Sequence, residues 1–243
     1  KRATERMMIP KIIHQIWIGS QMPEELCELS KSWKHKMPEY EHWIWTEKEI
    51  DLLEFKGKHV YEMAENPGVK SDVARYAILE KFGGLYADTD FECIRSLERC
   101  LDGSRFIAGH LPAPSSGNVE IANGLIACTK DNVIMKEINN EISNIKTINE
   151  DDNIEIMKAT GPYMLTNVLN RVILDETVGI LPSNYFYAWP NFLKELQGEP
   201  KKFLKNYSLC LHYWHCSWMK QRKGKINLMS RIYKKFIRLL KTK

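Results

Sequence analysis

The sequence predicts an α/β fold, in which a mostly parallel β-sheet is covered by helices on both faces. Short runs of apolar, β-branched residues alternate along the chain with segments of helical spacing, and this alternation is typical of parallel sheets. The chain has 243 residues, of which 44% are hydrophobic and 27% charged. It can therefore bury one substantial core.

The first part of the chain predicts strands and helices in alternation. Residues 9–19 form an apolar run that ends at a glycine, which indicates a buried first strand. Residues 23–33 have helical spacing and acidic residues in the first turn, as expected of a helix start. Residues 42–46 then predict a second strand, and residues 47–55 a second helix.

Residues 73–82 are apolar nearly all round, so we expect a buried helix there. A two-glycine turn and a short apolar strand follow it. Alternation then continues to residue 181, with predicted strands at 105–109, 124–128 and 178–181 and predicted helices at 132–145 and 163–173.

The most informative feature is the pair of acids, Asp88 and Asp90, that ends the strand after the two glycines. Carboxylates at the end of a buried strand are costly unless a positive group meets them. Ligands of α/β sheets bind beyond the carboxyl ends of the strands, where Trp17 is also expected. Hard carboxylate oxygens suit Mg²⁺ or Mn²⁺ that carries a nucleotide diphosphate. We therefore expect a metal and nucleotide-sugar site at this edge.

Two charged residues on the preceding helix, Asp72 and Arg75, are neighbours at i, i+3. One interpretation is an intrahelical ion pair worth a few tenths of a kcal/mol. The other is that Asp72 accepts hydrogen bonds from sugar hydroxyls while Arg75 reaches a phosphate or sugar oxygen. The helix is otherwise apolar, and this favours the functional interpretation.

Five segments, in this order, resemble glycosyltransferase family 32. They are residues 9–19, Ser71-Asp72-x-x-Arg75, residues 82–90, Thr160-Gly-Pro162, and residues 212–218. That family holds the DXD-containing capsular polysaccharide synthesis enzymes of bacteria and the yeast initiating mannosyltransferases, and the clostridial glucosylating toxins share its core spacing. The resemblance covers residues 9 to 218. It implies a Rossmann-like GT-A fold, a nucleotide-sugar donor, a divalent metal and retention of anomeric configuration.

The resemblance also implies roles by position. Trp17 would stack on the nucleotide base, although a core tryptophan in the first strand fits equally well. Asp90 would ligate the metal, and Asp88 would bind sugar or ribose. The residues implied to contact the donor are Trp17, Ser71, Asp72, Arg75, Tyr86, Asp88, Asn123, Ser217 and Trp218, with Asn123 a candidate for either a sugar or an acceptor contact. The candidate catalytic residues are Asp72, Arg75, Asp88 and Asp90.

The segment from His212 to Trp218 departs from the family pattern. Family members usually have His-His-Trp-Ala-Gly-Ser-Trp, whereas this chain has His-Tyr-Trp-His-Cys-Ser-Trp. His212 aligns with the first histidine and is the expected further metal ligand, beside Asp90 and Asp88. His215 takes a small-residue position, so it is either an alternative ligand or a buried polar group.

Charge separates the C-terminal end from the rest of the chain. The net charge is +4, yet thirteen basic and no acidic residues follow Glu199. The residues up to Glu199 therefore carry a net negative charge. This argues against a nucleic-acid-binding domain, whose working face would be positive. Residues 226–243 place apolar and basic side chains on opposite sides of a helix, as in helices that lie on anionic lipid; a helix docked on the domain is the alternative. We therefore expect a catalytic domain over 1–225 and a basic amphipathic helix over 226–243.

The sequence predicts neither a targeting signal nor a cysteine-based metal site. No apolar run approaches the roughly 18–20 residues that cross a bilayer, and no apolar region follows the basic N-terminus, so no secretory signal is expected. The six cysteines form no Cys-x-x-Cys pair, so no zinc site is expected. We expect a cytoplasmic protein at the inner face of the plasma membrane.

The expected activity is transfer of a sugar from a nucleotide-sugar donor, first of all a UDP-hexose, with Mn²⁺ or Mg²⁺. The expected acceptor is a lipid-linked oligosaccharide in bacterial capsule, exopolysaccharide or O-antigen biosynthesis. Two alternatives remain: a toxin-like effector that glycosylates a protein, and an inactive sugar-nucleotide-binding module. Neither the donor sugar nor the linkage follows from the sequence.

Overall fold

A computed structural model describes residues 8–112, 120–190 and 199–216. The strands in these ranges are β1 (Ile12–Ile16), β2 (Glu41–Trp45), β3 (Gly84–Ala87), β4 (Phe91–Cys93), β5 (Phe106–His110), β6 (Ile121–Cys128), β7 (Val178–Leu181) and β8 (Cys210–His212). The helices are α1 (Glu24–Lys36), α2 (Glu47–Asp51), α3 (Lys58–Met63), α4 (Pro67–Phe82), α5 (Glu98–Leu101), α6 (Val133–Ser143), α7 (Asn153–Ala159) and α8 (Pro162–Leu169).

The main sheet has six strands in the order β2-β1-β3-β6-β5-β7. β1 pairs in parallel with β2 and β3, and β5 pairs in parallel with β7, whereas β6 is antiparallel to both β3 and β5. Five strands therefore run in one direction, which confirms the predicted α/β class with a mostly parallel sheet. The reversal of β6 brings its first residues beside the carboxyl end of β3.

Each face of the sheet carries its own core, because side chains alternate along a strand. Tyr86 of β3 faces a cluster formed with α3, α4, α6 and α8. Its neighbours Leu85 and Ala87 face the opposite cluster, which includes Trp33 of α1 and Phe91. A fully buried large apolar side chain contributes about 1.5–3 kcal/mol. Helices on both faces are thus confirmed.

The turn between α4 and β3 requires glycine. Gly83 and Gly84 have φ of 66° and 98°, a region that other residues rarely adopt. A Cβ on Gly84 would lie 2.6 Å from the carbonyl oxygen of Ile12. α4 begins at Pro67, six residues before the predicted start, because the Asn66 side chain accepts the Gly68 N–H at 2.8 Å and caps the helix.

Several elements escaped prediction, above all the two-stranded sheet of β4 and β8. These strands pair antiparallel, with Phe91 opposite His212 and Cys93 opposite Cys210, and neither carries a repeated local pattern. The short helices α3, α5 and α7 were also missed. None of the helices in the described ranges combines the length and the apolar character needed to cross a membrane.

Candidate active site

A cleft of about 620 Å³ opens at the carboxyl edge of the main sheet. It lies where the ends of β1 and β3, the first turns of α4, the start of β6 and the segment after β8 meet. Ten of the predicted site residues line it: Trp17, Ser71, Asp72, Arg75, Tyr86, Asp88, Asp90, Asn123, His212 and His215. Ser217, Trp218 and the predicted helix over 226–243 lie outside the described residues.

Asp88 is held by neighbours on three elements, α4, β3 and β6. Its Oδ1 accepts hydrogen bonds from Arg75 Nη2 at 3.0 Å and from the Tyr86 hydroxyl at 2.8 Å. Its backbone N–H donates to the Gly124 carbonyl at 2.9 Å. Burial raises the pKa of Asp88, while the Arg75 guanidinium opposes this shift. The side chain keeps 29% of its surface exposed, so a ligand in the cleft can reach it.

Asp90 meets His212 across the small sheet. Its Oδ1 lies 2.9 Å from His212 Nε2, and its Oδ2 accepts the backbone N–H of His215 at 2.8 Å. Burial acts to raise the pKa of Asp90, but the imidazole and this N–H outweigh it and hold the pKa at about 2. The His212 ring stacks on Phe91, with centroids 4.2 Å apart. Asp90 is therefore ionised at neutral pH and its partner ring is fixed.

The donor atoms of Asp88, Asp90 and His212 fit a divalent metal. One ligand atom from each residue can be chosen so that all three lie within 4.8 Å of one another. Carboxylate oxygens suit Mg²⁺ and Mn²⁺, and imidazole suits transition metals, so this donor set is compatible with a divalent cation. The His215 ring instead lies 3.9 Å from Glu25 Oε1, so in this arrangement His215 contributes its backbone N–H rather than its imidazole.

Arg75 links three elements. Its Nη2 bonds Asp72 Oδ1 at 3.1 Å and Asp88 Oδ1 at 3.0 Å, and its Nη1 donates to the Asn123 carbonyl at 2.6 Å. The guanidinium also lies over the Tyr86 ring, 4.5 Å from its centroid. The predicted intrahelical ion pair therefore exists, but it is largely buried and the same guanidinium also pairs with Asp88.

Asp72 is partly buried and has further polar partners besides Arg75. Its Oδ1 accepts Asn123 Nδ2 at 2.9 Å, and its Oδ2 accepts the Thr160 hydroxyl at 3.1 Å. Burial raises the pKa of Asp72 to about 6, with Arg75 opposing the shift and the charge of Asp88 adding to it. Keeping this carboxylate ionised near pH 7 therefore costs folding free energy.

The pKa of Asp72 gives a testable pH dependence. Because its pKa in the folded protein is about 6 against an ordinary 3.8, the folded state binds the proton more tightly. This contribution to stability is complete below about pH 4 and is lost as the pH rises through 6. Relative to wild type, D72N should gain about 1–3 kcal/mol between pH 4 and pH 7.5. Urea denaturation at both pH values measures this, and a difference that is constant or shrinks would contradict it.

Trp17 and Ser71 lie at the mouth of the cleft. The Trp17 side chain is half-buried rather than in the core, and its Nε1–H donates to the Ser20 carbonyl at 2.5 Å. Because Trp17 also lines the cleft, part of its side chain borders the space that a ligand would occupy. Ser71 Oγ lies 3.3 Å from the Tyr86 hydroxyl, which also donates to Asp88. Ser71 therefore belongs to the same hydrogen-bonded cluster as Asp88.

Some residues that shape the cleft were not predicted to do so. Gln15 Nε2 donates to the Asp88 carbonyl at 3.3 Å. A Cβ on Gly124 would lie 2.8 Å from Asp88 Oδ2, so glycine there leaves room for the carboxylate, and a glycine inside a strand is a signal for such close approach. Thr160 and Tyr76 contact Asp72 or its partners. Thr160 belongs to one of the five segments that resemble glycosyltransferase family 32, whereas Tyr76 resembles an ordinary core residue.

Residues 23–107 match the family described as "Glycosyltransferase sugar-binding region containing DXD motif". Inositol phosphoceramide mannosyltransferase 3 of Schizosaccharomyces pombe is 34% identical over 117 residues, covering 46% of this chain and 32% of that protein. Inositol phosphoceramide mannosyltransferase 1 of the same yeast is 25% identical over 207 residues, covering 80% of this chain and 63% of that protein. The chain thus spans less than two thirds of either relative.

Solved structures show the same fold. The PaToxG glycosyltransferase superimposes with a TM-score of 0.52 at 24% identity, covering 67% of this chain and 69% of that one. The catalytic domain of α-toxin from Clostridium novyi gives 0.57 at 12% identity, covering 95% and 83%. The expected GT-A glycosyltransferase fold is therefore confirmed. Residues 23–107 are in addition similar to the DXD-containing sugar-binding region of glycosyltransferases.

Proposed function

We propose that this domain is a retaining, metal-dependent glycosyltransferase that takes a hexose from a nucleotide-diphosphate donor. One observation carries the proposal: the metal-ligand set of Asp88, Asp90 and His212 lies in the same cleft as the buried pair Asp72 and Arg75. UDP-hexose is the first donor to consider. Both yeast relatives are named mannosyltransferases, so a nucleotide-activated mannose such as GDP-mannose is the second donor to consider.

The residues divide the work by their positions. Asp90 and His212, with Asp88 beside them, would hold a divalent metal, which neutralises charge on a leaving diphosphate when it is bound. Arg75 adds a fixed positive charge at the same edge, and Asp72 presents carboxylate oxygens to sugar hydroxyls. In a front-face reaction the departing diphosphate oxygen helps to remove the acceptor proton, so this mechanism needs no additional base.

We propose a lipid-linked oligosaccharide as the acceptor, in bacterial capsule, exopolysaccharide or O-antigen assembly. The names of both yeast relatives indicate a lipid acceptor for those proteins. The basic residues after 225 would bring the domain to an anionic membrane surface. Co-sedimentation with anionic vesicles, using the full chain and a chain ending at residue 225, tests this contact. Equal binding by the two proteins would contradict it.

Donor hydrolysis tests the activity. Purified protein is incubated with UDP-glucose, UDP-galactose or GDP-mannose in Mn²⁺ or in EDTA, and release of the nucleoside diphosphate is measured. We expect at least one donor to be hydrolysed with Mn²⁺ and none in EDTA. Binding of a donor without turnover, with or without acceptor, would instead support the inactive binding module. Neither binding nor turnover of any donor would contradict the glycosyltransferase proposal.

A further inference from the structure

Four residues form a closed ring of hydrogen bonds beside the cleft, to which Thr160 contributes both its hydroxyl and its backbone carbonyl. Asn123 Nδ2 donates to Asp72 Oδ1 at 2.9 Å and to the Tyr76 hydroxyl at 3.0 Å. The Tyr76 hydroxyl donates to the Thr160 carbonyl at 3.0 Å, and the Thr160 hydroxyl donates to Asp72 Oδ2 at 3.1 Å. The ring therefore joins α4, the start of β6 and the residue that follows α7.

The direction of each bond in the ring is determined. The Tyr76 hydroxyl has one hydrogen, and the Thr160 carbonyl can only accept it. The hydroxyl must therefore accept from Asn123, which places the amide nitrogen, not the oxygen, against Tyr76. Burial raises the pKa of Tyr76, so the hydroxyl keeps its hydrogen at neutral pH. Both Nδ2 hydrogens are then used, and Asn123 Oδ1 is the atom left for a ligand.

Most of the acceptor positions of the Asp72 carboxylate are also occupied. Its Oδ1 accepts from Asn123 and from Arg75, while its Oδ2 accepts from Thr160. An ionised carboxylate offers about four acceptor positions, so about one remains, on Oδ2. Thr160 is fully buried, and its other acceptor, the Ile156 carbonyl, is at 3.4 Å. The ring therefore offers acceptor oxygens to a ligand, and sugar hydroxyls are one class of donor that can pair with them.

We propose that Thr160 and Tyr76 are positioning residues that hold Asp72 and Asn123 in the orientation that accepts hydrogen bonds from the hydroxyls of the donor hexose. This inference rests on the proposed function, since it assumes a sugar in the cleft. Neither side chain needs to touch the sugar. Their effect is selectivity, because a site whose buried polar groups pair with substrate hydroxyls discriminates against ligands that lack them.

The test separates affinity for the sugar from affinity for the nucleotide. T160V and Y76F are titrated calorimetrically, in Mn²⁺, with UDP and UDP-glucose and with GDP and GDP-mannose. The relevant ligands are the diphosphate and the nucleotide sugar of whichever base wild type binds. We expect each variant to bind that nucleotide sugar about tenfold more weakly, since a hydrogen bond to the Asp72 carboxylate is lost or misdirected. Affinity for the diphosphate alone should change less than about twofold, because that part of the ligand does not depend on the ring.

Two controls address folding and substitution chemistry. T160S keeps the hydroxyl and should restore most of the affinity that T160V loses. T129V makes the same change at a buried threonine after β6, at the opposite edge of the sheet, and should leave both affinities unchanged. Two results would overturn this inference alone. One is that T160V and Y76F lose equal affinity for the diphosphate and for the nucleotide sugar; the other is that both variants bind the nucleotide sugar as tightly as wild type does. A wild type that binds no nucleotide sugar overturns the proposed function and this inference together.

Discussion

Replacing Asp90 by asparagine is expected to lower metal-dependent turnover of the nucleotide sugar by at least about a thousandfold. The substitution keeps the size of the side chain but removes the charge that faces His212 at 2.9 Å. Loss of a metal ligand removes several kcal/mol of transition-state charge stabilisation, and each 1.36 kcal/mol is tenfold in rate. Initial rates of diphosphate release at saturating donor, over a range of Mn²⁺ concentrations, measure the effect.

The neighbouring acid provides the matched control. Glu92 lies two residues away on β4 and bonds Lys201 at 2.8 Å and Tyr213 at 2.7 Å, outside the cleft. E92Q should keep the turnover rate within about twofold, because an ion pair with an exposed lysine contributes little. If D90N and E92Q behave alike, or if excess Mn²⁺ leaves D90N at the wild-type rate, then Asp90 is not the ligand that we propose.

Replacing Arg75 by methionine is expected to destabilise the fold by about 3–5 kcal/mol, the cost of removing one partner from a buried ion pair. Methionine keeps much of the aliphatic volume, so the effect reports the lost charge. Arg75 is 4% exposed and is the cation between Asp72 and Asp88. Without it, those two carboxylates face each other with no counter-charge. Urea denaturation at pH 7.5 gives the free energy of unfolding.

The same substitution at an exposed arginine shows how much of the loss in stability comes from burial of the arginine and how much from the change of side chain. Arg171 pairs with Glu141 at 3.1 Å, with 59% of its side-chain surface exposed, and R171M should cost less than about 1 kcal/mol. The double variant D72N/R75M should recover part of the loss, because it also removes one unpaired charge. A cost for R75M no greater than that for R171M would contradict the role of Arg75 as the central cation of the site.

Prediction from sequence succeeded where the signal is local. Gly83 and Gly84 must end α4 because of their positive φ, and Asp88 and Asp90 follow the buried strand directly. α1 and β2 match the predicted helix over 23–33 and strand over 42–46 within three residues at each end. In each case the pattern of apolar residues, caps or glycines acts within one turn or one strand, so no distant contact is needed to interpret it.

The antiparallel direction of β6 was not predictable, and it has consequences for the site. A strand of buried apolar residues has the same composition in either direction. Only the reversal places Asn123, at the beginning of β6, beside the carboxyl end of β3 and within 2.9 Å of Asp72. The pairing of β4 with β8 is likewise a contact between segments more than a hundred residues apart, and it is what brings His212 to Asp90.

The sequence by itself therefore determined the α/β class, the helix-turn-strand unit and which acids and arginine line the cleft. These follow from local periodicity, from the conformational freedom of glycine, and from the cost of burying a charge without a partner. Only the tertiary structure decided which groups become those partners: Arg75 for both Asp72 and Asp88, His212 for Asp90, and Thr160 for Asp72. A hydrogen bond depends on the distance and the direction between two groups in space. The number of residues that separate the groups in the sequence gives neither of these.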